Sequence, residues 1–284
     1  MKTLLITDVD NTLLDWQHLW FQTFGAMARK AIEISGVPEA QFYAECSAVH
    51  QKYGTSEYAF VLGELPCLVD LYGSNVIEHM QPAIDAFRQA RRANLSLYPG
   101  VPETLEKLKG EGVTVVAYTE SQAFYTNYRF RKLGLDGLID VLYSPEDHDV
   151  PEQAIADRKY DNDHYRLKHT EHRFTPPGEH KPNPHILLTI IEEMGFSKDD
   201  ALYVGDKLLK DVYMAQQAGV VDVFASYGAA EHREEEYELL RAVTHWTPEM
   251  VERERAALKP GVVIPSHTLE SRFAEIISIM ESGS

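Results

Sequence analysis

Apolar residues along this chain fall into two kinds of pattern. Five short runs are continuously apolar: TLLIT (3–7), VTVVAYT (113–119), DVLYS (140–144), ALYVGD (201–206) and VVDVFAS (220–226). A strand with one wet face alternates apolar and polar residues, whereas a strand covered on both faces does not. Continuous runs therefore predict strands of a buried parallel sheet. Helical patterns lie between them, in PETLEKLKGEG (102–112), PHILLTIIEEMG (184–195) and KDVYMAQQAG (210–219). Proline suits the first turn of a helix and glycine its end, and these segments are punctuated in that way. Strand and helix alternate, so the expected core is α/β, a Rossmann-like doubly wound parallel sheet.

Residues 15–96 break the rhythm. HLWFQTFGAMARKAIEISG, EAQFYAECSAVHQKYG and NVIEHMQPAIDAFRQARRAN all read as helices, and no strand pattern separates them. The expectation is an all-helical cap domain over 15–96, inserted into a core of residues 1–14 and 97–284. Two segments of that core are unusual. Residues 145–180 form an extra polar insertion with His148, His164, His169, His172 and His180. Their spacing matches no closed zinc pattern, so a solvated loop is expected. Within it VPEQAIADRKY could form a short helix anchored by Tyr160, Tyr165 and Phe174. The insertion leaves a strand's carboxyl end and returns beside Lys181, which places it at the mouth of a site as a wall or second lid. Residues 229–258 carry EHREEEYELLRA, which reads as an exposed charged helix.

Composition narrows the class. The chain has 284 residues and a formal net charge of −17. That charge argues against nucleic acid and anionic membranes as partners. It leaves small anionic substrates open, because a bound metal can invert the local field. No apolar run approaches the roughly 20 residues that span a bilayer. MKTLLIT lacks a signal peptide's features, and the two cysteines, Cys46 and Cys67, give no disulfide framework. A cytoplasmic protein with reduced thiols is expected; its oligomeric state is left open.

The chemistry concentrates at strand ends. In ITDVDNT (6–12) an apolar run stops on Asp8 and Asp10. Two in-strand acids at i and i+2 would share a face and repel. If the strand ends at Asp8, the chain can bend, and Asp10 can turn its backbone toward the same point. Thr119 ends the second run, and Asp206 ends the fourth with Asp211 five residues on. Lys181, in GEHKPNP, precedes the helix before that fourth strand. Open α/β sheets bind ligands beyond the carboxyl ends of their strands, so these residues would meet there.

DVDNT resembles the Asp-x-Asp-x-Thr motif of the haloacid dehalogenase superfamily. AYTES, HKPNP and VGDKLLKD are similar to its threonine/serine, lysine and Gly-Asp-x-x-x-x-Asp motifs, in the family's order. LYPGV followed by ETLEKLKGEG looks like the return from a helical cap. The resemblance implies a Mg²⁺-dependent phosphohydrolase, of the phosphatase type, acting on a small phosphorylated metabolite. Asp8 would be the nucleophile that forms an aspartyl-phosphate, and Asp10 the general acid and base. Thr119 and Lys181 would bind the phosphoryl group, with backbone N–H groups of the first loop. The metal ligands would be a carboxylate oxygen of Asp8, the backbone carbonyl of Asp10, and Asp206. Asp211 would either join them or orient Lys181 or a metal-bound water. Two like charges about 4 Å apart cost roughly 4 kcal/mol at an effective dielectric of 20, so the carboxylates call for a cation. Hard oxygen ligands select Mg²⁺. Asn11 would shape the loop and Thr12 bond within it.

Other functions compete. The dehalogenase branch replaces the second acid of the first motif, so Asp10 argues against it. A phosphotransferase or mutase acting on a sugar phosphate uses the same four motifs and stays open. A phosphonate hydrolase needs a cap lysine; Lys30 and Lys52 are available, and neither is marked. A non-catalytic binding protein on the same scaffold would have no need of Asp8 and Asp10. The helical cap is expected to close over the site and select the substrate. Trp16, Trp20, Arg29, His79, Arg88, Arg91 and Arg92 are its candidates, with none singled out.

Overall fold

LLIT forms β1, Leu4–Thr7, with Leu4, Leu5 and Ile6 fully enclosed. Successive strand residues point to opposite faces, so both faces of β1 are covered. The computed structural model describes residues 2–147, 162–229, 233–249, 252 and 263–282. Six more strands follow: β2 (Thr114–Tyr118), β3 (Val141–Ser144), β4 (Glu171–Phe174), β5 (Ala201–Gly205), β6 (Val221–Ala225) and β7 (His267–Leu269). All pairings are parallel, in the order β4-β3-β2-β1-β5-β6-β7. Leu5 stands opposite Val115 of β2 on one side and Leu202 of β5 on the other. The chain thus steps outward from β1 to β4, then returns to the far side of β1 as β5. That reversal is the topological switch point, where a doubly wound sheet opens a crevice at its carboxyl edge. Asp8 and Asp206 immediately follow β1 and β5, at that crevice.

Helices Val101–Gly110, Ala123–Leu133, Pro184–Glu193 and Tyr213–Ala218 connect the strands. Pro184–Glu193 starts where its sequence signals put it. Asn183 Oδ1 accepts the N–H groups of His185 and Ile186, and Pro184 fills the first turn, where no N–H partner exists.

All five expected strands are present, and two were not foreseen. β4 lies inside 145–180, so that insertion is not a loop throughout. EHRF reads as polar because β4 is the edge of the sheet, with Glu171 and Phe174 exposed. His172 of β4 is no solvated loop residue either. Its Nε2 pairs with Ser144 Oγ at 2.8 Å, and burial holds its imidazole down at about 4. β7 is three residues long, too short to show a pattern. Tyr165 does anchor its segment, with its ring 5.6 Å from that of Phe124. Phe174 is exposed, 4.6 Å from the His172 ring. The VPEQAIADRKY helix, His148 and Tyr160 lie outside the described residues.

Contacts divide the chain into two units: Met1–Asp15, Ser96–Ala229 and Ala257–Ser284, which carry the sheet, and Trp16–Leu95 with Ala230–Ala256. The second unit is helical in its described residues. Trp16–Ser35, Glu39–Tyr53, Pro66–Tyr72 and Gln81–Asn94 are its longer elements between β1 and β2. Trp20, Phe24, Phe42, Leu65, Leu68 and Met80 form its core, with Trp20 stacked on Phe24 at 4.8 Å. Both cysteines are buried and free. No helix of the described residues is long and apolar enough to cross a membrane.

The helix Glu234–Val243 departs from expectation. It belongs to this helical unit and not to the 97–284 core. It is also not an exposed rod. Glu234, Glu235 and Glu236 occupy its first turn, where the helix dipole favours them. Leu240 and Val243 are buried in the helical core, and the Val243 carbonyl meets His50 Nδ1 at 2.6 Å. The charge run hid an apolar stripe of Leu239, Leu240 and Val243. Leu240→Ala is therefore expected to destabilise the helical unit by about 2–4 kcal/mol. An exposed helix would lose under about 0.5 kcal/mol. Urea unfolding followed by Trp fluorescence separates the two.

Candidate active site

Four of the sequence-predicted residues converge on one buried point. Asp8 continues the β1–β5 ladder by one bond, its N–H meeting Val204 O at 2.8 Å. Its carboxylate receives Lys181 Nζ on Oδ1 at 2.6 Å and Thr12 Oγ1 on Oδ2 at 3.2 Å. Lys181 also reaches Asp211 Oδ1 at 3.0 Å. Its ammonium lies 4.9 Å from the centre of the Tyr118 ring and 5.6 Å from that of Tyr203. Asp8, Lys181, Asp206 and Asp211 are all buried.

Two glycines make this geometry possible. A Cβ on Gly205 would come within 2.3 Å of Asp211 Cγ, so only glycine lets the π-helical turn Leu208–Val212 fold Asp211 back against β5. A Cβ on Gly228 would fall 1.6 Å from Asn11 O. The chain after β6 therefore presses on the first loop, where Asn11 has φ of 59° and Tyr227 OH donates to Thr12 O at 2.6 Å.

Asp211 accepts three donors. Its Oδ1 takes Lys181 and the Tyr203 hydroxyl, at 2.8 Å, and its Oδ2 takes the Lys207 N–H at 3.1 Å. Asp206 is the reverse: its Oδ2 is buried without a hydrogen-bond partner. Ligand atoms of Asp8, Asp206 and Asp211 lie within 4.8 Å of one another. Three buried carboxylates thus gather around the Lys181 ammonium, with Lys207 also acting on Asp206. Burial and the neighbouring Asp211 push the Asp206 carboxyl up to about 7, against the pull of Lys207 and Lys181. Burial acts to lower Lys181, but Asp211 and Asp8 outweigh it and hold the ammonium charged. A hard divalent cation fits this donor set, because it would supply both the missing partner of Asp206 Oδ2 and the missing positive charge.

Asp10 and Thr119 form a second group beside the first. The Asp10 carboxylate is held by Ser121 Oγ at 2.6 Å, Thr119 Oγ1 at 3.4 Å and Arg129 Nη1 at 3.3 Å. Thr119 Oγ1 also accepts the Ser121 N–H at 3.1 Å. Ser121 and Arg129 were not anticipated. Ser121 was visible inside AYTES. Arg129 carries no signal in the sequence, since a charged residue two turns into a helix normally faces water, and here it is buried. Tyr203 was hidden by its place in an apolar strand.

A family model of haloacid dehalogenase-like hydrolases matches residues 2–219. The chain belongs to that family. This haloacid dehalogenase-like hydrolase is 26% identical over 231 residues to a glyceraldehyde 3-phosphate phosphatase from Methanopyrus kandleri, covering 78% of this chain and 83% of the relative. It is 26% identical over 226 residues to a phosphoglycolate phosphatase from Nitrosococcus oceani, covering 79% and 84%. Its fold is similar to that of a 2-haloacid dehalogenase from Pseudomonas syringae pv. tomato, at a TM-score of 0.55, 17% identity and full coverage of both chains. The magnesium-bound HAD-hydrolase YfnB of Bacillus subtilis matches at a TM-score of 0.53 and 15% identity, covering 99% of each chain.

The charge imbalance has a measurable sign. Asp206, raised in the native state, holds a proton there that the unfolded chain has released. Its contribution favours folding at low pH and is lost as pH rises from about 4 toward about 7. In metal-free protein the melting temperature of Asp206→Asn should therefore gain on the wild type across that window. The expected gain is at least about 4 °C, at roughly 2–4 °C per kcal/mol for a chain of this size. Parallel melting curves in EDTA at stepped pH read it directly.

Proposed function

We propose that the protein is a phosphatase that hydrolyses a small phosphate monoester through an aspartyl-phosphate on Asp8. The observation that carries this reading is the contact of Lys181 Nζ with Asp8 Oδ1 at 2.6 Å beside the unpartnered Asp206 oxygen. A carboxylate nucleophile paired with an ammonium, next to a cation site, suits a reaction centre that accumulates negative charge. Mg²⁺ is the proposed metal, held by Asp8, the Asp10 carbonyl and Asp206. When bound it neutralises charge on the phosphoryl oxygens. Asp211, with its three donors, acts in this reading by holding Lys181.

The chain's own residues carry two displacements. An Asp8 oxygen attacks phosphorus, and the bond from phosphorus to the ester oxygen breaks. Asp10 gives that leaving oxygen its proton. Water then attacks the aspartyl-phosphate, Asp10 takes a proton from it, and the bond from phosphorus to the Asp8 oxygen breaks. Inorganic phosphate leaves, and both acids are restored. Lys181 and Thr119 position the phosphoryl group. The relatives' names support a phosphorylated two- or three-carbon acid or aldehyde as the substrate class.

Asp8→Asn should lower turnover at least about 10³-fold, since an amide cannot form the acyl phosphate, while the circular dichroism spectrum stays native. Retained turnover in a folded variant would remove Asp8 from its role. EDTA should abolish activity, and Mg²⁺ should restore it better than Ca²⁺, whose looser and larger coordination shell misplaces the carboxylates. Full activity after exhaustive chelation would contradict the metal assignment. A panel of phosphate esters, including glyceraldehyde 3-phosphate and phosphoglycolate, scored by released phosphate, distinguishes the hydrolase from a mutase, which releases none.

A further inference from the structure

One carboxylate ties together three loops that carry the site. Glu120 follows Thr119 at the end of β2. Its Oε1 accepts the backbone N–H of Lys181 at 3.0 Å, and its Oε2 accepts Lys210 Nζ at 2.6 Å. His180 Nδ1 lies 3.6 Å from Oε1. Lys210 belongs to the turn Leu208–Val212, next to Asp211. Lys181 is followed by Pro182, which has no N–H and restricts the residue before it. The Lys181 N–H is therefore the donor through which a neighbour can hold this stretch, and Glu120 takes it. From that backbone the Lys181 side chain reaches inward to Asp8 and Asp211.

We propose that Glu120 is a positioning residue for Lys181. It fixes the backbone from which the ammonium reaches Asp8 and, through Lys210, the turn that brings Asp211 to the same ammonium. Glu120 touches neither the nucleophile nor the phosphoryl group, so it acts only through these two partners. This proposal rests on the phosphatase reading, in which Lys181 binds the phosphoryl oxygens. Burial acts against a charged Glu120, but the Lys210 ammonium, His180 and Lys181 together hold its carboxyl well below the usual range.

The test uses the full chain with Mg²⁺, para-nitrophenyl phosphate as substrate, and inorganic phosphate as a calorimetric ligand. Glu120→Ala should lower kcat about 10- to 100-fold and weaken phosphate binding about 10-fold, since misplacing a catalytic group by about 1 Å carries a penalty of that size. Glu120→Gln keeps an oxygen for the Lys181 N–H but turns its NH2 toward Lys210 Nζ, so its losses should fall between those of wild type and Glu120→Ala. Lys181→Met should weaken phosphate binding by itself, and adding Glu120→Ala to it should change nothing further. Groups that act through one another are non-additive, whereas a general structural defect adds in full. Unchanged phosphate affinity in Glu120→Ala, or full additivity in the double variant, would overturn the proposal. If Glu120→Ala does not fold, Glu120→Asp, which withdraws the carboxylate by one methylene, carries the same comparison. If Lys181→Met alone leaves turnover and phosphate affinity intact, the phosphatase reading falls and the role of Glu120 falls with it.

Discussion

A buried ammonium between two carboxylates sets the terms for the rest of this site. Lys181, enclosed beside Asp8 and Asp211, would be costly as a lone charge, because an ion in a dry interior loses several kcal/mol of hydration. Its surroundings meet that demand in order. Two tyrosine rings lie beside the ammonium, Tyr203 adds a hydroxyl to Asp211, and Gly205 clears the space that lets Asp211 approach. Supplying Lys181 with two acids, and placing Asp206 beside them, leaves the pocket short of positive charge. The same arrangement that secures the lysine thus gathers three carboxylates that a divalent cation would fit.

The sheet determines where this happens. Asp8 and Asp206 follow adjacent parallel strands, so their separation is governed by strand spacing and not by the flexibility of a loop. Thr119 and Glu120 come from the strand on the other side of β1. Three neighbouring strand ends therefore deliver Asp8, the proposed nucleophile, Asp206 with its unpartnered Oδ2, and the loop-binding carboxylate of Glu120. The remaining participants arrive on short turns held by side chains.

Much of this was legible in the sequence. The five apolar runs mark the five inner strands, because a strand buried on both faces cannot hide its composition. The acids and the lysine were legible because they sit at strand ends, where polar residues interrupt apolar runs. What escaped detection did so for physical reasons. β4 is polar because an edge strand faces water, and β7 is too short to carry a period. Glu234–Val243 looked exposed because its acids outnumber the apolar residues that decide its place. Arg129 and Glu120 are charged side chains held by tertiary partners, and nothing local distinguishes them from solvated ones.

The helical unit is assembled from two stretches of chain, Trp16–Leu95 and Ala230–Ala256, with five of the seven described strands encoded between them. During synthesis the first stretch emerges long before the second. Until Leu240 and Val243 arrive, the surfaces of the first stretch that they cover stay open to water. Contacts of such long sequence separation form late and slowly, and exposed apolar surface in the interval invites association with other chains. The nascent protein thus has an interval, lasting until Leu240 and Val243 are made, in which the helices of Trp16–Leu95 wait for their final partner.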